Sequence, residues 1–207
     1  DILNANFKKR PIHFAITVDK SNFMGLEKYF QFAGITYRVT PFKDNNNSEK
    51  NTFGIINSET QYRKLMYDLN LNSIDSNLHI STVHERFTYN YRFVYSKLIE
   101  KLISENKRDS AKNVLQYIIH EYPSDRVPYG FRTLSLIESS FRLGLFDQGN
   151  EMSEELFQYI TGNEYKVKSD YSPLYAFEIV KRLKDITGRY INDSKLYDRI
   201  SKAYESL

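Results

Sequence analysis

From Val83 onward the apolar residues recur every three or four positions, and residues that stop helices cut the pattern at short intervals. Phe87, Tyr91, Val94, Leu98 and Leu102 form one stripe, widened by Tyr95 and Ile99, and Asn106-Lys107 breaks it. Ala111, Val114-Leu115, Ile118-Ile119 and Tyr122 form a second, which Pro123 ends. That period belongs to a helix with one buried face. Two such helices joined by a short polar turn make a helical hairpin. The pattern then recurs. Phe131, Leu134, Ile137, Phe141 and Leu145 mark a third helix, with Gly144 near its end; Met152, Leu156 and Ile160 mark a fourth, stopped by Gly162-Asn163. Ser172-Pro173 reads as an N-cap followed by proline at the first helical position. Leu174, Phe177, Val180 and Leu183 make the fifth stripe, with Thr187-Gly188 as its stop, and Leu196, Ile200, Ala203 and Leu207 make the sixth.

Six helices in three antiparallel pairs suggest a repeat. A tetratricopeptide unit has bulky residues in helix A, small residues where A and B cross, and proline after helix B. Tyr95, Leu98 and Ile99, then Ala111, then Pro123 twelve residues later fit that order. Leu136-Ile137 with Gly144 and Gly149 take corresponding places in the next unit, 38 residues on from Ala111 to Gly149. The third unit matches weakly and reads equally well as a cap. One pair cannot bury its apolar face alone, so the pairs are expected to stack, as a right-handed superhelix.

The first 43 residues follow a different period. Ile12, Phe14, Ile16 and Val18 alternate with His13, Ala15 and Thr17, as in a half-buried strand. Tyr29–Phe32 and Ile35–Thr40 read as a hairpin turned at Ala33-Gly34, and Pro41 ends its second strand. Asp44–Asn51 is polar and turn-prone, Gln61–Leu69 is a short helical candidate, and Leu69–Ser81 is an irregular connection. The expected fold is α+β, mostly α: a small β-rich module over 1–43, a loop with one short helix over 44–81, and a tetratricopeptide-like helical domain over 82–207.

Composition excludes several functions. There is no cysteine, hence no disulfide, thiolate zinc site or thiol catalysis. Lys and Arg number 29 against 26 Asp and Glu, without the basic clustering of nucleic-acid binders. No stretch is long and apolar enough to insert in a membrane. The opening Asp1-Ile2-Leu3 shows no signal peptide and is read as the start of a piece cut from something longer.

Candidate chemistry is sparse. His13, His79, His84 and His120 form no metal-binding spacing, and Glu100, Glu105, Glu151, Glu154 and Glu155 read as solvated helix charge. No phosphate-cradling loop or nucleophile motif occurs. The expectation is no catalytic residue, no metal and no cofactor. The aromatic residues pose the sharper question. Tyr89, Tyr91, Phe93 and Tyr95 are two apart in one helix, so some leave the core stripe. Tyr91, Arg92 and Tyr95, with Arg38 of the β module, are the candidate binding residues, either on the concave A-helix face or at the module junction; packing is the competing explanation.

Several words in the chain resemble a known family. Arg10–Val18 (RPIHFAITV), Gly25–Gln31 (GLEKYFQ), Gly34–Val39 (GITYRV), Tyr62–Tyr67 (YRKLMY), Asn90–Arg92 (NYR) and Val127–Tyr129 (VPY) are similar, in order and spacing, to segments of the DUF2723 family. That family is similar to protein O-mannosyltransferases of the GT-C membrane class. His13 stands where its members usually have Tyr. The resemblance implies a soluble, non-catalytic accessory or scaffold domain on the periplasmic, extracytoplasmic face of a membrane glycosyltransferase-like protein. Its partner would be a polypeptide or protein, including the parent's own membrane domain, and the family's catalytic acid would lie in that membrane domain. The alternatives are a free-standing envelope interaction scaffold and, more distantly, an envelope glycan hydrolase supported only by aromatic richness.

Overall fold

The computed structural model describes residues 5, 6, 9–43, 54–69, 80–162, 165 and 173–206. The expectations for Asp44–Asn51, His79, Ser172, Asn163 and Leu207 lie outside the described residues. The chain is mostly helical with a small antiparallel sheet near its N-terminus. It divides into two compact units, Asp1–Asn72 and Ser73–Leu207.

The first unit holds three short strands, β1 (His13–Ala15), β2 (Phe30–Phe32) and β3 (Thr36–Val39), in the order β1-β3-β2. The β2–β3 hairpin pairs Phe30 with Val39 and Phe32 with Tyr37. Gly34 takes φ +68 at its turn, a backbone state glycine adopts without steric cost. The alternation of Ile12–Val18 persists in the burial of its side chains. The strand itself is shorter than the sequence suggested, because Val18 N–H turns back to the Ala15 carbonyl.

Phe14, Phe23, Phe30, Phe32 and Tyr37 pack ring to ring under the sheet, Phe30 stacking on Tyr37 at 5.3 Å. The outer edge of β2 is closed by Ile55, whose backbone exchanges bonds with Phe30 and Phe32. Helix α1 (Ser58–Arg63) starts three residues before the expected Gln61, because Asn57 caps it by accepting from Thr60 N–H. It runs into a π-turn at Lys64–Asp68. The buried Gln61 amide bonds Gly34 twice, accepting from its N–H and donating to its carbonyl, each at 2.8 Å. A side chain from α1 thus fixes the hairpin turn.

The second unit contains six helices: α2 (Thr82–Ser104), α3 (Arg108–Glu121), α4 (Leu134–Arg142), α5 (Phe146–Thr161), α6 (Pro173–Tyr190) and α7 (Lys195–Ser206). Each short turn folds a helix back on its predecessor, giving the pairs α2–α3, α4–α5 and α6–α7. The first helices of the pairs lie in sequence, α2 against α4 and α4 against α6.

The 38-residue offset is structural. Asn106 (φ 59) and Gly144 (φ 81) both make left-handed turns between paired helices. Ala111 and Gly149 are each the fourth residue of their helix and buried. A Cβ at Gly149 would lie 2.7 Å from the Phe141 ring, so only glycine allows this crossing. Arg108, at the start of α3, donates to the Arg142 carbonyl at 2.9 Å, capping the end of the next pair's first helix.

Three expected positions differ. Phe87 and Leu174 are exposed (47% and 78%) rather than core. Helix α6 continues through Thr187-Gly188 to Tyr190, because Gly188 receives the Tyr197 ring of α7 instead of ending the helix.

Candidate functional site

The four sequence-selected residues differ in exposure. Tyr95 has no exposed area and packs near Tyr117, with burial pushing its phenol well up. Tyr91 is half-buried, stacked on Phe87 and 5.3 Å from Tyr122. Arg38 is exposed on the first unit's sheet.

Arg92 is buried to 1% exposure. Its Nη1 donates to the Pro128 carbonyl (3.0 Å), and Nη2 faces the carbonyls of Tyr122 (2.8 Å), Pro123 (3.1 Å) and Val127 (2.7 Å). The guanidinium also lies 4.8 Å over the Tyr129 ring. Burial lowers its pKa to about 10, leaving it a cation at neutral pH. A charge with no directly bonded carboxylate is held here by the carbonyl end of α3 and by the loop that follows. Asn90–Arg92 and Val127–Tyr129, far apart in sequence, therefore make one internal clamp. Arg92 and Tyr95 serve the fold and present nothing to a partner.

The face formed by the first helices of the pairs carries a different set, which the sequence reading passed over. Arg132 lies 4.9 Å over the Phe93 ring and donates to Asn90 Oδ1 at 2.8 Å. Arg182 lies 4.6 Å over the Phe131 ring, which is 5.6 Å from Tyr175. Arg189 of α6 bonds Glu138 of α4 at 2.8 Å. Phe93 and Phe131 are 38 residues apart. Phe93 lies in α2 and Phe131 in the 3-10 turn that leads into α4, and each ring is covered by an arginine from further along the chain. The offset visible between Ala111 and Gly149 was the signal that could have found them. The rings are half-buried and the three arginines exposed, a combination common at protein-binding surfaces.

Several of the candidate histidines and glutamates have local partners. His84 takes the Ser81 N–H, and His120 pairs with the neighbouring Glu121. Glu154 is drawn low on balance: burial raises it, but hydrogen bonds from Gln158 and Arg199 outweigh that. Glu105 bridges Lys101 and Lys107. Among the described residues no group of three His, Asp or Glu gathers to hold a metal ion, and no helix is long and apolar enough to cross a membrane.

Comparison with known proteins corrects the family assignment. The family model that matches is TMEM260-associated domain 2, over residues 1–60, not DUF2723. The match takes in the sheet and the start of α1, under a third of the chain. No curated protein and no solved structure matches. The transferase parent and the extracytoplasmic placement had rested on the DUF2723 words alone.

Proposed function

We propose that this chain is a protein-interaction scaffold whose helical unit holds a polypeptide segment on the face of α2, α4 and α6. The observation that carries the reading is the two ring-and-arginine pairs, Phe93 under Arg132 and Phe131 under Arg182, whose rings lie 38 residues apart. Stacked guanidinium groups keep N–H donors at their edges for backbone carbonyls and carboxylates, while the rings supply apolar contact. Stacked helical pairs present such faces as extended surfaces. The family name matched by residues 1–60 associates that module with TMEM260, so the β-rich unit supplies the attachment in this reading and the helical unit the grip.

Selection of a displayed peptide library on the 207-residue chain tests it. Enriched peptides are expected to lose about tenfold in affinity when Arg132 and Arg182 are both changed to alanine, at about 0.5–1 kcal/mol per exposed cation–ring site. Thermal unfolding of the variant checks that the fold survives. Peptides that bind the variant as tightly as the parent, or a selection that enriches none, would defeat the proposal.

A further inference from the structure

The helical unit accounts for the interaction reading, but the chain's charge lies elsewhere. Residues 1–72 hold ten Lys and Arg against seven Asp and Glu, while 73–207 hold nineteen of each. The whole net charge of +3 therefore belongs to the first unit.

Part of that charge converges on the outer face of the sheet. His13 of β1 is the cross-strand partner of Arg38 on β3, and both are exposed. Directly opposed side chains stand about 5 Å apart at Cβ, and like charges there oppose folding. Lys64, from the π-turn after α1, joins them: burial first, then the charges of Lys64 and Arg38, lower the proton affinity of the His13 ring. Among the described residues neither Arg38 nor Lys64 has an acidic group within ion-pair distance.

The His13 ring is also oriented. Thr36 Oγ1 donates to the Ala33 carbonyl (2.9 Å), so it accepts from His13 Nδ1 at 2.7 Å. Nδ1 carries the proton, and Nε2 becomes a donor only when the ring is charged.

We propose that this sheet face binds a phosphate group, held by His13, Arg38 and Lys64. A carboxylate offers two oxygens and one charge. A phosphate monoester offers three terminal oxygens and close to two charges, which matches two permanent cations and a third that forms on binding. By linkage, binding takes up a proton at His13, and affinity rises as pH falls toward the free ring's titration range. Among the described residues the charged groups acting on the ring are Lys64 and Arg38, with no carboxylate.

The test is an NMR titration of the folded 207-residue chain with inorganic phosphate, sodium chloride holding ionic strength constant. The His13 ring signal is assigned with His13→Gln. Phosphate is expected to raise the His13 titration midpoint saturably, without moving His84 or His120. Arg38→Gln and Lys64→Gln should each weaken binding about two- to fivefold, the range of an exposed ion pair. Their thermal unfolding should be no lower than the parent's, since among the described residues neither side chain makes an internal hydrogen bond or ion pair and removing a like charge relieves repulsion. An equal response to chloride and phosphate overturns the proposal, as does unchanged phosphate affinity in both variants. So does retention on phosphatidic-acid vesicles without any response to inorganic phosphate.

Discussion

Replacing Arg92 tests the central structural claim, that the helical unit is held by a buried cation clamped on backbone carbonyls. Arg92→Ala removes the donors from the carbonyls of Tyr122, Pro123, Val127 and Pro128. An orphaned buried carbonyl costs about 1–3 kcal/mol. The four losses do not add fully: three carbonyls share the single Nη2, and water reaches part of the loop. The lost stack on Tyr129 adds about 1 kcal/mol. Against this, the variant no longer carries the cost of burying a charge, the same cost that lowers the Arg92 pKa to about 10. The net expectation is a loss of about 3–5 kcal/mol, the range for breaking a buried charge arrangement from one side. For a unit of this size that is roughly 10–20 °C in melting temperature. Arg92→Lys keeps the charge but places three donors on one atom and loses the planar stack, so about 2–3 kcal/mol should go. Urea unfolding followed by circular dichroism measures both. A loss under about 1 kcal/mol for the alanine variant, with unchanged denaturant slope, would refute the clamp.

Gly149→Ala should cost about 1–3 kcal/mol, because a Cβ there meets three Phe141 ring atoms at 2.7–2.9 Å and that ring is itself stacked on Tyr190. Denaturant unfolding measures it, and a neutral or stabilising result would show that α4 and α5 can separate freely. The buried tyrosines predict the alkaline limb. Burial raises the phenols of Tyr91, Tyr95 and Tyr122, and holds Tyr129 up at about 12. Stability should therefore be complete below pH 10, where both states keep the phenol proton, and fall from there toward pH 12, by up to about 1.4 kcal/mol per pH unit per tyrosine. Absorbance at tyrosinate wavelengths should show these groups ionising only with unfolding; smooth titration of all tyrosines near pH 10 in the folded chain would contradict their burial.

The helices were legible where apolar period and stop residues agreed. Asn106 and Pro123 each mark a boundary that the structure keeps. Gly188 did not, because a glycine signals a helix end only where nothing else requires a small residue, and here Tyr197 does. Helix α2 shows the deeper reason for the misread site. Its buried line runs Thr88, Arg92, Tyr95, Ile99, Leu102, a clean helical period through a charged position. A reading that sorts residues by polarity breaks this line at Arg92 and sends the arginine outward. The ring-and-arginine pairs were missed for a complementary reason. Their partners lie about 40 to 50 residues apart, and only the repeat offset connects them.

Most of the words that suggested a membrane transferase have packing roles in the structure. Arg10–Val18, Gly25–Gln31 and Gly34–Val39 supply the strands of the first unit with their connecting turns, all inside the span matched by TMEM260-associated domain 2. Asn90–Arg92 and Val127–Tyr129 meet in the Arg92 clamp. Any chain with this sheet needs alternating aromatics flanking a glycine turn. Any chain closing its first helical pair in this way needs an arginine opposite a proline-bearing loop. The exposed residues singled out for binding are Arg132 and Arg182 over their rings, and Arg38 beside His13. All of them are cations, so a partner meeting either unit should bring carbonyl-rich or anionic groups to it.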